Sequence, residues 1–288
     1  MNKSAKNSSN ADTDEVLIHE PFKAGLPNLP KYFRDIWLRR EFALELSKAN
    51  LRSQEASTFF GRMWLVINPL FLGSVYFVLV SIISNGAHGG TAYMAHLLAG
   101  LFAYQFFAQS MINGSKSVLG VGKLVINRSF PRLILPISSV LIALYRFIPS
   151  IFVYFAFHLI TKQPLSLNQL YAIPAFLMIF VFSIGVATLL ATMQIYFRDL
   201  RSFLPYVSRI LLYVTPVLYY ADAIPQKLEF LKYANPLFGM FGAWGEALVR
   251  GQVPATSLWV SGLIWSLGTF FLGTFVFLSR EREFAVRI

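Results

Sequence analysis

The 288 residues carry 25 Lys and Arg against 14 Asp and Glu, a formal charge of +11, yet only 14% of the chain is charged and 56% is hydrophobic. Soluble domains hold about a quarter charged residues, so this chain lacks the polar surface that a water-soluble fold of its size requires, and its apolar residues must face lipid. The basic residues alternate with long apolar runs rather than lining one face, which argues against a nucleic-acid partner; the absence of cysteine excludes disulfides and thiolate metal sites.

Residues 1–30 are polar, with no period of 2 or 3.6 residues, and read as a disordered cytoplasmic tail. The stretch from Met1 to Asn10 has no apolar core, so a cleavable signal peptide is not expected. Over 31–62, Phe33, Ile36, Trp37, Leu44 and Leu51 recur at roughly helical spacing between Arg34, Arg39, Arg40, Lys48 and Arg52. That pattern predicts a basic amphipathic helix lying in the membrane interface.

Crossing about 30 Å of hydrocarbon takes about 20 mostly apolar residues. Five stretches qualify: 64–85, 92–112, 133–160, 171–197 and 257–278. A sixth, 203–220, is marginal and contains Arg209. The uncharged, Gly-rich run 233–245 is too short to span and reads as a re-entrant or interfacial hairpin within the external segment 221–254. With the N-terminus in the cytoplasm, inside segments hold 19 Lys and Arg and outside segments 4, while Arg146 and Arg209 lie within spans. The asymmetry favours that orientation. The expectation is an all-α integral membrane protein with six transmembrane helices over 63–288, an N-terminal amphipathic interface helix, an external re-entrant hairpin between helices five and six, and both ends cytoplasmic.

Catalytic patterns are missing. The sequence has no HExxH, no nucleophile elbow and no DxD-like acidic pair, and Gly120-Val121-Gly122-Lys123 lacks the first glycine of a P-loop and continues into Leu124 rather than Ser or Thr. None of the six spans contains Asp or Glu, the groups with which ion-coupled transporters relay protons or sodium. Ion-coupled transport is thereby disfavoured, and coupling to a separate ATPase is the leading explanation.

The order of landmarks carries a resemblance. The amphipathic stretch leads into Gly61-Arg62-Met63-Trp64-Leu65-Val66-Ile67-Asn68-Pro69-Leu70. A cytoplasmic loop then carries Asn127-Arg128-Ser129-Phe130-Pro131-Arg132-Leu133-Ile134-Leu135-Pro136. Arg198-Asp199-Leu200 follows the fourth span, and Thr215-Pro216-Val217-Leu218-Tyr219 precedes Ile224-Pro225 and Asn235-Pro236-Leu237. Over about 40–288 the chain resembles the ABC-2 type permease subunits of bacterial polysaccharide and teichoic acid exporters, the Wzm and TarG group. It departs from that pattern at Trp244-Gly245, where the family often has an aromatic-Arg pair, and at Phe284-Ala285-Val286, where the usual motif is Phe-Ala-Asp.

The resemblance implies a homodimer in the bacterial cytoplasmic membrane with two copies of a cytoplasmic ABC ATPase, which would bring the ATP and Mg; the permease itself needs no cofactor. A lipid-linked glycan or polyol phosphate polymer would pass between the two permeases. Phe130, Pro131 and Arg132 are then expected to dock on the ATPase, against the alternative of a solvated basic loop. Arg198 and Asp199 are a second ATPase contact or a helix-end cap. Asn235, Pro236 and Trp244 belong to the external hairpin. Tyr104, Tyr145, Tyr154, Tyr213 and Tyr219 are expected channel residues because each brings a hydroxyl into an apolar span, while most other aromatic rings suit lipid contact and interfacial belts. Ser183, Gly185, Ala187 and Ala191 suit helix packing.

Arg146 lies near the middle of its span. It either lines the channel and meets phosphate or bonds between helices, with backbone carbonyls near Pro149, Tyr hydroxyls or Glu246 as partners. Two other functions stay open: export of a small amphipathic drug or lipid by the same architecture, and a polytopic enzyme acting on lipid-linked sugars.

Overall fold

A computed structural model describes residues 29–39, 41–42, 45, 47, 63–83, 90–121, 131–161, 164–224, 227 and 229–287. Every regular element among them is helical. In chain order these are α1 (Leu29–Leu38), α2 (Trp64–Ile83), α3 (Thr91–Lys116), α4 (Ile134–Ile160), α5 (Ala172–Tyr196), α6 (Leu200–Val214), α7 (Leu231–Ala234), α8 (Phe238–Leu248), α9 (Thr256–Arg280) and α10 (Phe284–Arg287), with single 3-10 turns before α5 and α10 and after α3. Of the predicted tail, residues 1–28 lie outside the described residues while Leu29 and Pro30 begin α1; most of the predicted interface helix, including Gly61 and Arg62, lies outside them too, as does Phe130.

Among the described residues, three helical stretches are long and apolar enough to cross a membrane: Ile134–Ile160, Leu167–Tyr196 and Thr256–Glu283. They coincide with α4, α5 and α9, which are predominantly apolar over more than the 20 residues that the hydrocarbon core demands. The sequence α3 is 26 residues long but more polar, with His96, Gln105, Gln109 and Asn113 among its residues. Its position explains that composition. It packs against α2, α4, α5, α6 and α8, so its polar groups meet protein rather than lipid.

The most extensive helix pair is α5 with α9. A methyl group added to Gly185 would lie 2.6 Å from the backbone of Thr269 and Phe270. On the other side of the same helix, a methyl on Gly114 of α3 would lie 2.5 Å from Cβ of Ala187. The small residues of α5 therefore let two neighbouring helices approach backbone to backbone, the packing expected of them. Ser183 and Ala191 are buried with them.

The predicted fifth span, 203–220, is helical only in its first part. Its helix stops at Val214 after 15 residues, about 22 Å at 1.5 Å per residue and short of a full crossing. Thr215 leaves helical geometry ahead of Pro216, which cannot donate to the preceding turn. Thr215, Pro216 and Val217 are buried, and Val217 sits against Gly100, where a methyl would come within 3.1 Å of it. Irregular backbone is tolerated where protein covers it. The segment then reaches α7, turns at Asn235–Leu237, and enters α8, an 11-residue helix buried almost throughout against α3, α5 and α9.

At the opposite end of the bundle a smaller apolar cluster joins Val118, Leu133, Leu135, Ile195, Phe277 and Phe284, and Tyr32 and Ile36 of α1 pack on it. The chain's first described helix and its last therefore close over the same helix ends.

Candidate functional site

Arg146 projects from α4 toward α3, half-buried, with Nη1 3.5 Å from Gln109 Oε1. The same oxygen accepts a 3.0 Å bond from Asn113 Nδ2, one turn further along α3. A guanidinium at membrane depth costs roughly 2.5–3.5 kcal/mol even on insertion scales, and the amide carbonyl of Gln109 offsets part of it. Neither Gln109 nor Asn113 stands out in the sequence, because a single amide in an apolar run carries no motif. Glu246, considered there as an acid for Arg146, instead accepts the Ala255 backbone N–H at 3.1 Å.

The five tyrosines separate. Tyr104 is buried and donates to the Ser208 carbonyl of α6. Tyr154, also buried, donates to the Leu248 carbonyl at the end of α8 at 3.2 Å. Tyr219 donates to the Val214 carbonyl, closing the turn after α6. These three hydroxyls hold elements together. Tyr213 is 57% exposed, its hydroxyl 3.4 Å from that of Tyr76 on α2. Tyr145 is half-buried.

The hairpin residues are anchors. Asn235 Oδ1 accepts the Leu237 N–H at 3.0 Å, and its Nδ2 donates to the Val214 carbonyl at 3.1 Å and to Thr215 Oγ1 at 3.3 Å. The amide thus satisfies the broken end of α6 and shapes the turn into α8 at once. Pro236 is half-buried in that turn. Trp244 donates from Nε1 to the Ala99 carbonyl of α3 at 3.0 Å. Beside them Arg250 clasps Asp222 with two bonds of 2.8 and 3.1 Å and lies 4.3 Å over the Tyr220 ring. The Arg250 bonds hold the Asp222 carboxyl below its ordinary range. His96 is buried next to this group, with Nε2 3.1 Å from the Tyr219 carbonyl and its ring 4.3 Å from that of Tyr220.

Among the residues expected to meet an ATPase, Pro131 is buried and Arg132 half-buried. The Arg132 backbone N–H donates to Glu281 Oε1 at 2.7 Å, and its guanidinium donates to the Glu281 carbonyl. Tyr32 of α1 joins the pair: its hydroxyl accepts the Leu133 N–H at 3.3 Å and bonds the Glu281 carboxylate. Burial pushes the Glu281 carboxyl up, opposed by the bonds from Tyr32 and the Arg132 N–H. Glu281, unremarkable in a run of charges, is the buried hub of this junction, 9% exposed. Arg198 and Asp199 are both exposed. Asp199 occupies the N-cap position of α6 without a side-chain capping bond, and the Arg198 carbonyl accepts from Gln194 Nε2 at 2.7 Å.

No group of three or more potential metal ligands gathers among the described residues. No family model matches the chain. A protein of Klebsiella pneumoniae named O-antigen export system permease protein RfbA is 28% identical over 244 residues, 83% of this chain and 92% of the relative. A second Klebsiella pneumoniae protein of that name is 28% identical over 209 residues, 72% of this chain and 80% of its own length. A Myxococcus xanthus protein, also named O-antigen export system permease protein RfbA, is 21% identical over 257 residues, 88% of this chain and 98% of its own.

Over most of its length the chain is similar to proteins named as O-antigen export permeases. The resemblance drawn from the ordered motifs thus holds over most of the chain, and the relatives are named for transport rather than catalysis.

Proposed function

We propose that the chain is the transmembrane permease subunit of an ATP-driven ABC exporter that moves a lipid-linked polysaccharide, or a polyol phosphate polymer, across the bacterial cytoplasmic membrane. The observation that carries this is the similarity to O-antigen export permeases across 83% of the chain and 92% of a relative. The absence of acidic residues from the expected spans fits a transporter that borrows ATP hydrolysis.

In this reading two copies form the conduit, and two copies of a cytoplasmic ATPase bind beneath. Six spans with both ends cytoplasmic agree with the 19 to 4 distribution of Lys and Arg. The ATPase docks on Phe130, in the segment leading to Pro131 and Arg132, and on the exposed pair Arg198 and Asp199. The segment 221–254 forms the external hairpin, with α7 and α8 inside it. Arg146, bonded to an amide of the preceding helix α3, serves the bundle rather than the conduit.

Affinity purification of the chain from its native membrane tests the proposal. One stoichiometric ATPase is expected with it. Recovery of the chain alone, transporting in vesicles without ATP, overturns the reading.

A further inference from the structure

The helix α6 has two unlike sides. Leu204, Ser208 and Leu212 recur every turn and are buried, tied to α3 by the Tyr104 hydroxyl on the Ser208 carbonyl. The opposite side exposes Phe203, Tyr206, Ile210 and Tyr213, each between 57% and 62%. Arg209 is exposed on the flank of that side, with Tyr206 three residues before and Tyr213 four after, a single stripe on a 3.6-residue helix. The stripe turns toward α2, where the Tyr76 hydroxyl is 3.4 Å from that of Tyr213 and within electrostatic reach of Arg209. Arg209 has no hydrogen-bond or ion-pair partner among the described residues.

The outward side of α9 makes the contrast. Leu263, Ile264, Leu267, Phe271 and Phe275 cover it with no polar tip among them, the surface that hydrocarbon requires. Arg209 stands about 13 Å along the helix from Leu200, and an arginine held there against lipid is strongly disfavoured. An arginine at that depth calls for water or an anionic partner rather than lipid tails. A guanidinium fork flanked by phenol hydroxyls is the arrangement that suits phosphate oxygens, which it engages in pairs.

We infer that Arg209, with Tyr206, Tyr213 and Tyr76, forms a binding stripe for the phosphate or diphosphate group of the transported lipid-linked polymer. This rests on the polymer-export reading and names the residue that meets the anionic part of the substrate.

The chain has no cysteine of its own, so single cysteines report cleanly. In the full complex in membranes, Arg209→Cys and, with the arginine retained, Tyr206→Cys are expected to react with a charged methanethiosulfonate, while Phe271→Cys on α9 does not. Geranylgeranyl diphosphate should slow the labelling of Tyr206→Cys several-fold, and geranylgeraniol should not. Arg209→Gln should raise the diphosphate concentration for half-maximal ATPase stimulation about tenfold, and Arg209→Lys less, because lysine keeps charge without the fork.

Failure of both α6 cysteines to label, or equal protection by geranylgeraniol or by phosphatidylglycerol vesicles alone, overturns the inference. So does an unchanged half-maximal concentration in Arg209→Gln. Absence of any ATPase partner defeats the export reading instead, and diphosphate-specific protection in the chain alone then still supports the stripe.

Discussion

Gly185 and Gly273 meet so closely across α5 and α9 that a methyl group on Gly273 would overlap the Gly185 carbonyl oxygen and press on Thr188 Oγ1. The obstruction is backbone, which cannot swing aside as a flexible side chain does. Gly273→Ala should therefore force the two helices apart, at about 1–3 kcal/mol or more. Gly268 lies on the same helix with nothing within 4 Å of an added methyl, and Gly268→Ala should be neutral or stabilise by up to about 1 kcal/mol through helix propensity. Thermal unfolding of both variants in one detergent checks the pair. Equal effects would mean that propensity, not contact, governs this interface.

The bond from Arg146 to Gln109 predicts a stability defect that spreads to export. Removing one partner of this part-buried, 3.5 Å charge-assisted bond should cost about 1 kcal/mol. Arg146→Gln and Gln109→Leu should each lower the melting temperature and the yield of assembled complex, and the double variant should cost less than the sum of the two, since each single change already breaks the bond. Arg146→Lys should fall between, because it keeps the charge but loses the fork. Export lost with assembly and stability fully intact would return Arg146 to the conduit.

The helices α4, α5 and α9 were legible because length and hydropathy belong to each segment alone: spans expected at 133–160, 171–197 and 257–278 match helices Ile134–Ile160, Ala172–Tyr196 and Thr256–Arg280 closely. The end of α6 was harder to read, since Thr215 to Tyr219 is as apolar as a helix and its break is supported by Asn235, 20 residues away. The site was less legible still. Arg146 and Gln109 are 37 positions apart, and Arg132 and Glu281 are 149 apart. No local spacing records such pairings. Tyrosines in apolar spans suggested a conduit because their hydroxyls need partners; in Tyr104 and Tyr154 backbone carbonyls supply them.

The clasp of Arg250 on Asp222 predicts a pH response on the hairpin side. The hydrogen bond from Arg250 lowers the Asp222 carboxyl below its unfolded range. A depressed acid stabilises the fold above that range, and the contribution disappears as pH falls through the folded value. Both side chains are partly solvated, so the contribution is less than about 1 kcal/mol. Melting temperatures should show a shallow acid-side decline that Asp222→Asn removes, with little difference between wild type and variant in its slope near neutral pH. An identical acid slope in Asp222→Asn would assign the decline to other carboxylates.

Glu281 predicts the opposite sign at the other end of the bundle. Burial, its largest influence, raises this carboxyl above its unfolded range, against the bonds from Tyr32 and the Arg132 N–H. The fold therefore favours the protonated form: stability contributed by Glu281 is greatest below the unfolded value, falls as pH climbs to the folded one, and is level above it. Glu281→Gln keeps an oxygen for the Arg132 N–H and removes the buried charge, so at neutral pH it should be as stable as wild type or more so. Glu281→Ala leaves that N–H and the Tyr32 hydroxyl without their acceptor, a loss of about 1–3 kcal/mol. Because Pro131 and Arg132 continue directly from the segment proposed to dock the ATPase, Glu281→Ala should also speed proteolysis between α3 and α4 and weaken ATPase retention, whereas Glu281→Gln should do neither. Melting curves, limited proteolysis and co-purification on the same preparations separate the outcomes. If Glu281→Gln is as damaging as Glu281→Ala, the negative charge and its attraction to Arg132 hold the junction, and the acceptor oxygen alone does not.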